Sequence, residues 1–114
     1  MTNINFTGHI SPNLCKRLGI SENTKIPGAT NLLLTDIRKE SVYNRYKYGI
    51  FHKPTSFRDY MEPKTFAIFH NKNNPEKTAT VEIGKDLNIE TPSILNNITE
   101  DIITTAAKLL DLSI

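Results

Sequence analysis

The feature that most constrains this chain is a run of short alternating segments between residues 65 and 91, punctuated by turn residues. TFAIFHN (65–71), TATVEI (78–83) and LNIE (87–90) carry β-branched and aromatic residues at the period of two that a pleated strand requires. Side chains directly opposite each other in an antiparallel pair share a face, so register follows from arithmetic. Pairing Asn71 with Thr78 sets Ile68 against Val81, Phe66 against Ile83 and His70 against Ala79, with KNNPEK as a six-residue loop. A three-residue loop, Gly84-Lys85-Asp86, then sets Ile83 against Leu87 and Val81 against Ile89, whereas a two-residue turn mixes core with surface. The expectation is a three-stranded antiparallel meander over about 65–91. Its core face is Phe66, Ile68, Ala79, Val81, Ile83, Leu87 and Ile89.

That face needs a cover, and the C-terminal segment offers one. Thr99 caps a helix whose first turn carries Glu100 and Asp101, where the helix dipole favours anions. Ile102, Ile103, Ala106, Leu109 and Leu110 fall on one stripe at helical spacing. A helix on one face of an antiparallel sheet makes an α+β fold.

The N-terminal half reads as rich in helix and loop. Asn3–Thr7 is a short strand candidate, and His9, beside Gly8, reads as loop. In SPNLCKRLGI, Ser11 caps a helix, Pro12 suits its first position and Lys16 and Arg17 occupy its last turn. Gly19 takes the left-handed position after it, with Ile20 folding back. Leu32-Leu33-Leu34 fits a buried strand or the start of a helix, and 36–47 reads as helix. Ser56 opens another short helix that Pro63 ends.

At 114 residues the chain reads as one domain, 1–114, long enough to fold without disulfides. Its one cysteine, Cys15, excludes an internal disulfide and a cysteine-based zinc site; beside Lys16 and Arg17 it reads as a small buried apolar residue rather than a reactive thiol. The start, MTNINFTGH, lacks a basic, apolar leader, and no apolar run reaches the ~20 residues of a membrane span. The chain therefore reads as soluble and cytoplasmic. Net charge is only +2, but it is unevenly spread: residues 38–64 carry seven basic and three acidic side chains, residues 65–114 four basic and seven acidic.

The basic stretch is also the aromatic one. YNRYKYGIFHKPTSFRDY (43–60) holds all four tyrosines. Tyr and Arg are enriched at protein–protein hot spots, and tyrosines interleaved with cations also stack on bases while holding phosphates. In either a helix or a strand, Tyr43, Tyr46 and Tyr48 do not share one face, so part of the stretch reads as core wall and part as binding surface. The candidate binding residues are Tyr43, Arg45, Tyr46, Lys47, Tyr48, His52, Lys53 and Arg58. The expected partner is an acidic protein surface, with RNA or an anionic nucleotide-like ligand as the other chemistry that fits.

No phosphate loop, HExxH, EF-hand or GxSxG motif occurs, and no cofactor or metal is expected. His9, His52 and His70 lack metal-ligand spacing. Two of them could supply the acid and base for cleavage of RNA by its own 2′-hydroxyl. Two function classes result: a small non-enzymatic binding protein of inhibitor, immunity or accessory type, and a metal-independent endoribonuclease using His52 with His9 or His70. The first asks for no constellation that the sequence lacks.

Overall fold

The architecture is a mixed five-stranded sheet with its helices packed on one face. A computed structural model describes residues 7–41 and 62–112. In chain order the elements are β1 (Thr7–Ile10), α1 (Pro12–Leu18), β2 (Lys25–Pro27), β3 (Leu32–Ser41), β4 (Pro63–Asn71), β5 (Asn74–Gly84), a 3₁₀ helix (Pro92–Asn97) and α2 (Glu100–Leu109). The strand order is β2-β1-β3-β4-β5. Among the described residues only the β1–β3 contact is parallel.

This corrects the three-stranded meander. The stretch 32–41 is strand, not the start of a 36–47 helix; residues 42–47 of that helix and the Ser56 helix lie outside the described residues. Leu32 and Leu34 face the core, and so does Ile37, because the register shifts between Leu34 and Asp36. A bulge inserts one residue and restores the buried side chain to the same face three positions on. In a sequence, that spacing of three looks helical.

The β4–β5 register differs by one residue from the expected one. Ala67 pairs with Val81, Phe69 with Ala79 and His70 with Thr78. Ile68 pairs with Thr80, so Ile68 and Val81 lie on opposite faces. The loop is the two residues Lys72-Asn73, and 74–77 belong to β5. Residues 87–90 form no strand. Instead the Thr65 hydroxyl donates to the Lys85 carbonyl and accepts from the Leu87 amide at 3.1 Å, pinning the chain as it leaves β5. Leu87 folds over Gly84, where an added Cβ would stand 2.7 Å from Leu87 Cδ1.

The core therefore lies between Leu32, Leu34, Ile37, Ala67, Phe69, Ala79 and Val81 of the sheet and the buried faces of α1, the 3₁₀ helix and α2. On α2 the buried stripe is Ile103, Ala106 and Ala107, continued by Leu110, while Ile102 is half-buried and Leu109 exposed. This stripe is rotated slightly from the expected one. Thr99 caps α2 as expected, its side chain accepting from the Ile102 amide at 3.4 Å. Gly28, at φ 130°, lies beneath α2: a Cβ there would stand 2.9 Å from Ile103 Cγ2. Phe66 and Ile68 are also buried, on the sheet face away from this core.

Helix α1 follows its sequence signals closely. The Ser11 hydroxyl accepts from the Leu14 amide, and Gly19 takes φ 72°. The Ile20 amide bonds the Cys15 carbonyl at 3.0 Å and the Gly19 amide bonds Lys16 at 3.3 Å, the paired closure expected of a left-handed C-terminus. Cys15 is fully buried, and burial, with the charge of Glu22, pushes its thiol pKa up.

Where β1 stops at Ile10, α1 takes over the edge of β3. The Ser11 amide bonds the Leu34 carbonyl at 2.9 Å, the Ser11 hydroxyl the Thr35 carbonyl at 3.3 Å and Arg17 Nη2 the Ile37 carbonyl at 2.9 Å. Arg17 and Arg38 both reach Asp36, each at 2.7 Å. Burial alone would raise the Asp36 carboxyl, but hydrogen bonds from Arg38, Arg17 and the Ile37 amide, with the Arg17 charge, hold it below its usual 3.8. Its stabilisation is thus present above 3.8 and is lost as pH falls through the depressed folded value. Asp36→Asn should cost about 1–2 kcal/mol at neutral pH and flatten the acid limb of a urea-unfolding pH series. An acid limb as steep as wild type would remove this role from Asp36.

Candidate functional site

The residues expected to bind, Tyr43, Arg45, Tyr46, Lys47, Tyr48, His52, Lys53 and Arg58, all lie outside the described residues. The structure does define where their segment is attached. Ser41, the last residue of β3, pairs directly with Pro63, the first of β4. The connection between them leaves and rejoins the sheet side by side, at one end of an antiparallel pair. Around that attachment Lys39 bridges Asp86 at 2.8 Å and Lys85 approaches Glu62 at 4.0 Å.

His9 and His70 are described, and both depart from expectation. His9 is in β1, not a loop. His70 pairs with Thr78 rather than Ala79, so it points away from the core. The pairings Lys25–His9, His9–Leu33, Leu33–His70 and His70–Thr78 run as one row across all five strands. Directly paired residues share a face. The row lies opposite Leu32, Leu34 and Phe69, on the face turned away from the helices.

The two imidazoles differ in setting. His9 is half-buried; burial, followed by the charges of Lys72 and Lys25, holds its pKa below 6.5. The His70 Nδ1 lies 2.9 Å from the Pro75 carbonyl, which only accepts, so Nδ1 carries the proton and Nε2 is the free ring nitrogen. With strands about 4.8 Å apart, the two histidine Cα atoms stand about 10 Å apart across Leu33. Among the described residues no three His, Cys, Asp or Glu side chains gather as a metal site, and no helix is long and apolar enough to cross a membrane.

Lys25, Leu33, Lys72 and Thr78 were not among the residues the sequence singled out for binding. Lys25 and Leu33 join the histidines only through β2–β1, β1–β3 and β3–β4 pairings, and parity along β3 would have found Leu33 only with the bulge known.

Comparison with protein-family models, curated proteins and solved structures finds no match to this chain.

Proposed function

We propose that this chain is a small cytoplasmic binding protein of inhibitor, immunity or accessory type. Its basic, tyrosine-rich segment 43–60 docks on an acidic protein surface. The observation that carries the reading is the pairing of Ser41 with Pro63, which brings both ends of the connection that contains the segment together at one end of the β3–β4 pair. Long connections on rigid scaffolds are where binding residues concentrate. The composition supplies the chemistry: tyrosine rings for contact area, arginine and lysine for charge complementarity. A chain with one cysteine, and so no internal disulfide, suits a reducing compartment.

The endoribonuclease alternative rests on a different observation, the placement of His9 and His70 on one row of one face. In that reading either would act with His52. Reversing the charge of the segment while checking that the fold persists tests the first reading. His52→Ala tests the second, since it would abolish RNA cleavage and leave capture of an acidic partner intact.

A further inference from the structure

We propose that the sheet face turned away from the helices carries a phosphate-binding site at the end where His9 and His70 lie, with Lys25 and Lys72 supplying its charge. Leu33 and Ser41 are eight residues apart along β3, which at about 3.3 Å per residue puts the row roughly 25 Å from the attachment point.

Two cations at this end of the sheet lack a counter-charge among the described residues. Neither Lys25 nor Lys72 has an ion-pair partner among the described residues, although Arg17, Lys39, Lys77 and Lys85 each have one. Lys25 is the direct cross-strand partner of His9, and the charge of Lys72 also acts on that ring. The Lys72 amide bonds the Asn31 carbonyl at 2.7 Å, which ties the β4–β5 turn to the start of β3 and holds Lys72 beside the row.

The row itself supplies matching groups. His70 is oriented by the Pro75 carbonyl through Nδ1, so Nε2 is the ring nitrogen available to a ligand. His9 lies on the far side of Leu33, its pKa held down by burial first and then by the charges of Lys72 and Lys25. A bound dianion would offset those cations and favour the protonated His9 ring. Thr78 adds a hydroxyl at the outer end of the row. Two ammonium groups and two imidazoles around a tetrahedral oxyanion make charge-assisted hydrogen bonds of the stronger kind. Leu33 gives the site an apolar floor on which the organic part of a phosphate ester can rest.

The test titrates the full chain with inorganic phosphate and follows the histidine ring signals by NMR, with chloride at matched ionic strength as control. The His9 and His70 signals should shift saturably with phosphate and not with chloride. The His9 pKa should rise by about one unit on saturation, the tenfold coupling expected of a close opposite charge. Lys25→Gln with Lys72→Gln should weaken phosphate at least about tenfold, the fold unchanged by circular dichroism. A nucleoside monophosphate that binds at least tenfold more tightly than phosphate identifies an ester as the ligand, and equal affinities identify free phosphate. Shifts that fail to saturate, that chloride reproduces, or that survive in the double-lysine variant overturn the site.

Discussion

Ile103→Asp should leave the protein unfolded at room temperature, or cost at least roughly 3–5 kcal/mol of a total that for small domains is about 5–15. Ile103 is 2% exposed, on the inner face of α2. It sits over Gly28, whose missing side chain is what lets the helix approach the β2–β3 connection. A carboxylate there has no partner, so it must either remain charged in an apolar site or take up a proton at neutral pH; both are costly. Leu109→Asp, six residues further along the same helix, is the control. That side chain is 49% exposed, and its substitution should shift stability by no more than about 0.5 kcal/mol. Thermal unfolding followed by circular dichroism reads both. An unchanged melting temperature for Ile103→Asp would mean that α2 does not cover the sheet.

The second large effect is on binding. Segment 43–60 carries four basic side chains and one acidic, a net of +3; Lys47→Glu, Lys53→Glu and Arg58→Glu together turn that to −3. Capture of an acidic partner should be abolished, since like charges brought together at an interface cost several kcal/mol. The wild-type association should also weaken as salt rises from low to physiological levels, because the field that guides it extends about one Debye length. A pulldown from the native host, repeated with the triple variant and with His52→Ala, separates the two functions. Recovery of the same partner at the same yield by the triple variant would end the docking proposal, provided its melting curve matches wild type.

What could be read in the sequence was what local chemistry determines. Both described α-helices follow from cap residues and from the apolar spacing just inside them, and residues 65–71 and 78–83 are strand as their alternation implies. The sheet around them was not legible, for identifiable reasons. The bulge at Thr35 places Leu34 and Ile37 three apart on one face, so β3 imitates a helix. On β4, Phe66, Ala67, Ile68 and Phe69 are all buried, so hydrophobicity there does not say which face meets the helices. Irregularities at both ends of the β4–β5 ladder then break any register counted from the turn. Leu87 and Ile89 pack against the core without being in a strand, which made a third meander strand look necessary. For the site, composition alone singled out 43–60, whereas the histidine row depends on pairings that join residues 9, 25, 33, 70 and 78.

The docking proposal depends above all on β3 and β4 being paired up to the point where the segment leaves them. Backbone nuclear Overhauser contacts across that pair test it most directly. Cross-strand contacts should join Ile37 to Ala67 and Lys39 to Thr65, with the extended-strand pattern running through residues 36–41. A run of sequential amide–amide contacts over 36–41, typical of a helix, with none to residues 63–67, would contradict it.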